Sequence, residues 1–286
     1  MFAFRIISHL PLNLLYLFSD FLYLLIYYVI RYRGKVIDDN LLAAFPEKLP
    51  AERKTIKKKF YRNFTDSFAE TIKLLTISQE DLSKRVTIQN IHLVLEKINK
   101  GEIIIGLTAH FFNWEAHLLG VMAHVQQRCE VVYLKVNNPF FENLMHKLRS
   151  RFGGNLVERN SFQRNYLNQR DKPRLIVLAA DQRPHRADQR YWTSFMNREA
   201  PFYEGGEKLA KKFNHTVIFS HVNKPKRGHY IFTYEILEEP PFEDTPHSIT
   251  EAFIQKVEKN IREEPTLYLW SHNRWKKKPP ATSPPE

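Results

Sequence analysis

Two side chains suited to acid–base chemistry, His110 and Glu115, are separated by four residues in this sequence. They lie within residues 102–120, EIIIGLTAHFFNWEAHLLG, where an apolar run ends abruptly at the histidine. Imidazole titrates near neutral pH, and a neighbouring carboxylate can hold its ring and raise its pKa. The pair can therefore supply a general base, His110, and a carboxylate that orients it, Glu115.

The spacing of this pair restricts the local structure in which the two side chains can meet. In one continuous helix they would point about 140° apart and share no hydrogen bond. They meet only when His110 lies in a loop after a strand and Glu115 lies in the first turn of the next helix. We therefore predict a buried strand, a catalytic turn and a helix start. A core histidine beside a surface glutamate is the alternative, because this composition gives about one such pair by chance.

A second apolar run, RLIVLAA at residues 174–180, also ends in polar side chains, Asp181 and Gln182. In open α/β sheets, ligands bind at the carboxyl ends of the strands. If the two runs are neighbouring parallel strands, Asp181 and Gln182 lie at the same sheet edge as His110. We therefore expect one crevice that contains all three side chains.

Basic side chains cluster in the part of the chain between these two runs. A helix expected at residues 140–151 ends in cations, and the cluster comprises Arg149, Arg151, Arg159 and Arg164. An arginine beside the catalytic turn can hold an oxyanion or a phosphate by paired hydrogen bonds. The alternative for any one of them is a basic helix end that complements the helix dipole.

The order of the remaining segments predicts an α/β fold, with a central mixed sheet flanked by helices. Further strands and one long helix complete the pattern, at residues 130–135, 216–222, 229–237 and 50–75. Residues 185–201 are expected to form a loop. We assign residues 35–277 to the catalytic domain and residues 278–286 to a disordered, proline-rich tail.

Residues 10–30, LPLNLLYLFSDFLYLLIYYVI, have about the length that a helix needs to cross a bilayer. Asp20 lies near the middle, where a charge costs about 2.5–3.5 kcal/mol on insertion scales. The density of Leu, Phe and Tyr and the basic flank at residues 31–35 favour a membrane. We therefore predict a retained N-terminal membrane anchor, residues 1–34, with the catalytic domain on the cytoplasmic side. An amphipathic or buried helix is the alternative.

The net charge of +12 and the isoelectric point near 9.6 favour anionic partners. Nucleic acid, anionic lipid and an acidic protein all satisfy this condition, so charge does not choose among them. The single cysteine, Cys129, excludes an internal disulfide. His117 and His124 share a helix face, but no third ligand stands at a characteristic spacing, so we expect no metal site.

Three blocks, taken together, resemble the late lipid A acyltransferases of the lysophospholipid acyltransferase superfamily. They are HFFNWE at residues 110–115, DQRP at 181–184 and YLWSHNRW at 268–275. Their order and spacing match the family from the N-terminal apolar segment to the last arginine–tryptophan pair. The resemblance implies an O-acyltransferase of the bacterial inner membrane that needs no cofactor. Members move a fatty acyl chain, usually from acyl carrier protein, to a hydroxyl of a lipid A precursor.

The resemblance also implies roles for individual residues. His110 would remove a proton from the acceptor hydroxyl while Glu115 holds its ring and stabilises the imidazolium. Asn113 would orient the turn or donate to the oxyanion, Asp181 would position an arginine or the acceptor, and Arg274 would contact an anionic head group. The predicted substrate-binding residues are Asn113, Arg149, Arg164, Asp181, Gln182 and Arg274. A structural role is the alternative for each of them.

Two departures from the family pattern are present: the first changes the reach of the acid but not its chemistry, and the second leaves head-group recognition open. The acid of the motif is Glu115, where superfamily relatives often have aspartate, and the ending at residues 271–275 lacks two consecutive arginines. A homologue that acylates another glycolipid or an aminolipid is therefore an alternative, and so is a basic membrane-associated or nucleic-acid-binding protein without catalysis.

The charge also fits the partners that the resemblance implies. Acyl carrier protein is acidic and lipid A precursors carry phosphates, so both would be attracted to a protein of charge +12. We expect these two partners and the membrane. We expect no nucleic acid, because the aromatic residues follow helix and strand periodicity rather than an RNA-binding motif.

Overall fold

The computed structural model describes residues 2–184 and 190–277 and places a seven-stranded sheet at the centre of the fold. The strands in the described residues are β1 (Val86–Gln89), β2 (Ile103–Thr108), β3 (Cys129–Tyr133), β4 (Asn155–Glu158), β5 (Arg174–Ala179), β6 (Tyr191–Phe195), β7 (Arg198–Phe202), β8 (Thr216–Lys226) and β9 (His229–Glu238). The sheet order is β1-β9-β8-β2-β5-β3-β4, and β6 pairs with β7 in a separate hairpin. Neighbours in the large sheet are parallel except β8 and β9.

Helices flank this sheet, and the predicted fold class, a mixed sheet with flanking helices, is confirmed. The helices are α1 (Phe2–Ser8), α2 (Leu12–Leu24), α3 (Gly34–Ala44), α4 (Pro50–Leu74), α5 (Gln79–Ser83), α6 (Ile91–Asn99), α7 (Trp114–Val125), α8 (Pro139–Arg149), α9 (Phe162–Asn168), α10 (Gly205–Phe213) and α11 (Ser248–Glu263). A π-helical turn, Leu25–Ile30, continues α2. By length and composition, the segment Leu12–Ile30 could cross a membrane.

The strand that leads to His110 is apolar along its length because it is covered on all sides. β2 lies between the parallel strands β5 and β8, and its first five residues are buried. A central parallel strand with both faces covered favours a continuous apolar run over an alternating one. The run at 102–109 therefore forms the strand that the sequence predicts.

The prediction of a loop at residues 185–201 is wrong for residues 191–201, most of which form two strands. Strands β6 and β7 pair antiparallel there, from Tyr191 opposite Phe202 to Phe195 opposite Arg198. Phe195 and Phe202 are fully buried and contact each other edge to face, so the hairpin has an apolar face that packs on the domain. Residues 185–189 and the expected disordered tail, 278–286, lie outside the described residues.

Candidate active site

His110 follows the carboxyl end of β2, and Asp181 follows the carboxyl end of the neighbouring β5. The register pairs Thr108 with Ala179, which brings both strand ends to one edge of the sheet. There, His110 Nδ1 lies 2.7 Å from Asp181 Oδ1. The parallel arrangement expected from the two apolar runs thus joins residues 71 positions apart in one hydrogen bond.

The charges of His110 and Asp181 stabilise each other. Burial disfavours the charged form of both groups. For His110, the charge of Asp181 and the hydrogen bond to it outweigh burial and raise the pKa of the imidazole above its usual 6.5. For Asp181, the charge of His110 and the same hydrogen bond outweigh burial and lower the pKa of the carboxyl. His110 therefore has a carboxylate that orients it and supports a cationic ring.

The backbone of the turn is fixed by a segment from the C-terminal part of the chain. The amide of Phe112 donates to the carbonyl of Leu267 at 2.9 Å, and the amide of Leu269 donates to the carbonyl of His110 at 3.2 Å. Phe111 and Tyr268 form an isolated antiparallel bridge between these two bonds. The block YLWSHNRW therefore positions the turn at His110 through its backbone.

The expected hydrogen bond between Glu115 and the ring of His110 is wrong. Glu115 does lie in the first turn of α7, but its carboxylate accepts hydrogen bonds from Arg149 Nε at 2.8 Å and Arg149 Nη2 at 2.5 Å. It also accepts one from the indole of Trp114 at 2.9 Å. The physical reason is that α8 ends beside the start of α7 and supplies a cation, while Asp181 already occupies His110 Nδ1. The negative charge of Glu115 still raises the pKa of His110.

A crevice of about 490 Å³ opens at this sheet edge, and its walls are apolar for the larger part. The side chains with polar atoms that line it include those of His110, Arg149, Arg159, Gln182, Arg183 and Tyr203. Because Nδ1 of His110 is taken by Asp181, the ring nitrogen left for a ligand is Nε2. A ligand bound in this crevice would therefore meet both the imidazole of His110 and the guanidinium groups of arginines.

Arg164, one of the predicted substrate-binding residues, does not line the crevice. It is exposed on α9, about 200° around that helix from the buried Tyr166. The arginine that the chain brings to the crevice from this region is Arg159, which precedes α9 and donates to the hydroxyl of Tyr203 at 3.2 Å. The cluster was predicted, but sequence could not tell which member faces the site.

Arg274 is also placed differently from the prediction. Its guanidinium is buried, donates from Nη2 to the carbonyl of Pro201 at 2.7 Å and stacks 4.3 Å above the ring of Phe202. A buried guanidinium over the β6–β7 hairpin does not present its charge to a head group. Its charge instead lowers the pKa of Asp181, so Arg274 acts on the site through that carboxylate.

Asn113 caps α7 and connects the turn at His110 to a buried carboxylate that sequence reasoning missed. Its Oδ1 accepts from the amides of Glu115 and Ala116, and its Nδ2 donates to Glu70 at 2.9 Å. Glu70, on α4, also accepts from the hydroxyls of Tyr16 and Tyr230, each at 2.9 Å. The available signal was a glutamate seven positions after Asn63 and fourteen after Ile56, on the buried stripe of α4.

Replacing Asn113 by aspartate should destabilise the fold although aspartate caps helices as well as asparagine does. The new carboxylate would face Glu70 without a donor between them, so we expect the free energy of unfolding to fall by about 1–3 kcal/mol. Chemical denaturation measures this change. The matched control is Asn138→Asp, since Asn138 caps α8 with the same Oδ1 geometry on the exposed surface. Equal stabilities for both variants would contradict the role of Glu70.

A second cavity, of about 620 Å³, is mainly apolar and is lined in part by residues 113–115. Helices α4 and α8, with the residue that follows α4, supply many of its apolar walls: Phe64, Phe68, Ile72, Leu75, Phe141, Leu144, Met145 and Leu148. Trp114 lines both this cavity and the crevice of His110. The two spaces therefore adjoin at the start of α7.

In the part of the chain that the structure describes, no group of three His, Cys, Asp or Glu side chains is arranged to hold a metal ion. His117 is buried and contacts the hydroxyls of Tyr234 and Ser220 at 2.9 and 3.1 Å. Burial lowers its pKa to about 3, so it stays neutral and serves the core.

The sequence model of one protein family, described as bacterial lipid A biosynthesis acyltransferase, matches residues 1–277. The lipid A biosynthesis myristoyltransferase of Escherichia coli K12 is 29% identical over 122 residues, which cover 42% of this chain and 37% of that protein. A lipid A biosynthesis acyltransferase of Haemophilus influenzae is 22% identical over 256 residues, 88% of this chain and 80% of that one. The first of these alignments therefore spans well under half of the relative's length.

Among solved structures, the 1-acyl-sn-glycerophosphate acyltransferase of Thermotoga maritima is similar, with a TM-score of 0.41 and 14% identity. The comparison covers 88% of this chain and 96% of that one.

Proposed function

Since the chain belongs to the bacterial lipid A biosynthesis acyltransferase family, we propose that it transfers a fatty acyl chain from an acyl carrier protein thioester to a hydroxyl of a lipid A precursor. The observation that carries this proposal is the hydrogen bond from His110 to Asp181, because His110 lines a crevice that also contains Arg149 and other arginines. A general base that is oriented by a carboxylate can activate a hydroxyl for attack on a thioester.

In the proposed reaction, Nε2 of His110 removes the proton of the acceptor hydroxyl as its oxygen attacks the thioester carbonyl. A C–O bond forms, the tetrahedral intermediate collapses, and the C–S bond breaks. The departing thiolate takes the proton back from the imidazolium, so the enzyme returns to its starting state. Asp181 holds Nδ1–H and stabilises the cation between these two steps.

The developing negative charge on the carbonyl oxygen needs a donor. Arg149 lines the crevice and is held by its two hydrogen bonds to Glu115, which fix the plane of the guanidinium. A fixed cation can stabilise an oxyanion without reorganising during the reaction. We therefore propose Arg149 for the oxyanion or for a substrate phosphate, with Glu115 as the residue that positions Arg149. Gln182 is a further candidate donor at the same edge.

We propose that the acyl chain binds in the apolar cavity. Its volume of about 620 Å³ falls in the range of ligand sites, and Trp114 joins it to the crevice. A chain lying in this cavity would bring its carbonyl to the start of α7, beside Arg149. We propose no cofactor, and a location on the cytoplasmic side of the bacterial inner membrane, where the basic surface would meet acyl carrier protein and the lipid phosphates.

The pH dependence of transfer should report His110, because the base must be neutral. The pKa of His110 lies above 6.5, so kcat/KM should rise with pH through that raised value. Asp181→Asn removes the charge that raises the pKa, and the acid limb should therefore move to lower pH while the plateau falls. Asp38→Asn, which alters an ion pair between the exposed Asp38 and Lys57 away from His110, should leave the limb in place. An unmoved limb in Asp181→Asn would exclude His110 as the titrating base.

The proposal is tested with purified full-length protein and a panel of donors and acceptors. Acyl carrier protein thioesters and coenzyme A thioesters would each be offered with a lipid A precursor, another glycolipid and an aminolipid. We expect transfer from acyl carrier protein to the lipid A precursor, detected by mass spectrometry as an added ester. Transfer to none of the acceptors would overturn the proposed reaction, and transfer to another lipid alone would overturn its acceptor.

A further inference from the structure

A strip of exposed apolar side chains runs along the N-terminal helix. In α2 and the π-helical turn it comprises Leu14, Leu17, Phe18, Phe21, Leu24, Tyr28, Val29 and Ile30. Phe21 is 63% exposed and Leu17 is 66% exposed, while Tyr16 and Tyr23 of the same helix are buried. Phe21 and Tyr23 point about 160° apart. The strip therefore occupies the face opposite the one that packs on the domain, and contiguous apolar surface of this kind marks an interaction site.

The buried face of this helix is attached to α4 along its whole length, in antiparallel orientation. The contacts, in order along the chain, are Lys73 Nζ to the carbonyl of Leu10 at 3.1 Å, Tyr16 to Glu70 at 2.9 Å, Ser19 to Asp66 at 2.7 Å, and Tyr27 to Tyr61 with ring centroids 5.3 Å apart. α4 in turn packs on α7, and Glu70 bonds Asn113. The helix is thus a part of the folded domain.

Charged groups accompany the helix at its middle. Asp20 pairs with Arg227 of the β8–β9 hairpin at 2.7 Å, and Arg227 also holds Asp66 of α4 at 2.5 Å. A helix crossing the bilayer in this arrangement would carry all three charges, and α4 with them, into the hydrocarbon. Stripping it from α4 instead would leave Asp66 and Glu70 without their hydrogen-bond partners from the helix. Both alternatives are unfavourable.

We propose that the segment Leu12–Ile30 lies in the plane of the membrane, with its apolar strip in one leaflet, rather than crossing it. The occupant is an anionic phospholipid surface. Exposed cations border the strip, including Arg31 and Lys35 beyond the helix end and Lys59, Arg62 and Lys226 around the polar cleft beside Asp20. A helix packed on a domain through one face can immerse its other face about 5–10 Å, to the depth where head groups meet acyl chains.

The same surface is continuous with the apolar cavity. Phe4 and Tyr32, on either side of the helix in sequence, line that cavity, and so do the half-exposed Phe68 and Phe141. The rings of Phe4 and Phe140 contact each other at 5.8 Å, which joins α1 to α8 at the same place. An in-plane helix therefore brings the cavity to the leaflet, where a hydrocarbon chain can enter without passing through water. The inference does not depend on the proposed reaction.

The test places single cysteines at the two ends of the helix, His9→Cys and Lys35→Cys, both at exposed positions. The native Cys129 is buried, and burial raises its pKa to about 12, so it should not react. Full-length protein in sealed vesicles of either orientation is treated with a membrane-impermeant maleimide. We expect both cysteines to react from the same side. Reaction of His9→Cys only from the opposite side, or only after detergent, would overturn the proposal.

Binding of the protein to lipid vesicles provides a second test. Leu17→Asp should weaken binding of the purified protein to phosphatidylglycerol-containing vesicles by about tenfold or more, because it charges the immersed face. The control is Leu167→Asp on α9, which is 49% exposed on another surface and should leave binding unchanged. Equal losses in both variants would contradict a membrane role for this strip. Transfer measured in detergent reports the proposed reaction separately.

Discussion

Replacing His110 by alanine should lower kcat/KM for acyl transfer by about 10²–10⁴-fold, the range over which general-base assistance acts. The variant lacks the Nε2 atom of His110, which is the proposed acceptor of the proton from the acceptor hydroxyl. The fold should survive, because the turn is held by backbone bonds to Leu267 and Leu269. Kinetics with the acyl carrier protein thioester measure the loss, and unchanged unfolding separates it from misfolding. The control is His92→Ala, at an exposed position on α6. Wild-type rates in His110→Ala would exclude the proposed base.

Replacing Glu115 by alanine should be among the most destabilising single changes at the site. Glu115 is buried, and its removal leaves the mostly buried guanidinium of Arg149 without its carboxylate. Breaking such a pair from one side costs about 3–5 kcal/mol. Transfer should fall as well, because Arg149 loses the two bonds that fix its plane. Urea unfolding and steady-state kinetics measure the two effects.

A double replacement distinguishes this explanation from simple loss of packing. Glu115→Met together with Arg149→Met should be less destabilised than either single variant, because no unpaired buried charge remains. Activity should stay low in the double variant if Arg149 contacts the substrate. Glu80→Ala, which breaks an exposed pair with Lys84, should change stability little. Additive losses in the double variant would contradict the role of the pair.

The sheet edge could be predicted from the sequence because buried parallel strands leave a plain signal. Two apolar runs end in His110 and in Asp181, and the rule that ligands bind at strand ends brings them together. The partner of the histidine could not be predicted in the same way. A spacing of four residues indicates proximity along the chain, but it does not tell which way the first turn of α7 faces. The pairing with Asp181 depends on the register of β2 and β5, which only the folded sheet fixes.

Charged residues that are buried in the fold were the hardest to assign from the sequence. Arg274 reads as a surface cation near the end of the chain, yet it is buried over the β6–β7 hairpin, whose aromatic face was not predicted. Glu70 reads as one polar residue of a basic helix, yet it collects three donors from distant parts of the chain. Burial of a charge is decided by tertiary partners, and local pattern carries little information about them.

The N-terminal segment illustrates the same limit. Its length and composition favour a membrane helix, although Pro11, Asn13, Ser19 and Asp20 interrupt the apolar segment and the charge of Asp20 argues against crossing. In the structure, Asp20 forms an ion pair with Arg227, which also binds Asp66 of α4, so its charge is compensated within the folded domain. Sequence could suggest a membrane but not the orientation of the helix in it.

His110 and Asp181 should act as one catalytic unit in the proposed reaction, and a double-mutant cycle measures the coupling between them. Values of kcat/KM would be measured for the wild type, His110→Ala, Asp181→Asn and the double variant in one transfer assay. Residues that act as a unit are strongly non-additive, so the double variant should lie within about twofold of His110→Ala. A double variant that loses the full product of the two single effects would show that the two residues act independently and would exclude a His110–Asp181 unit.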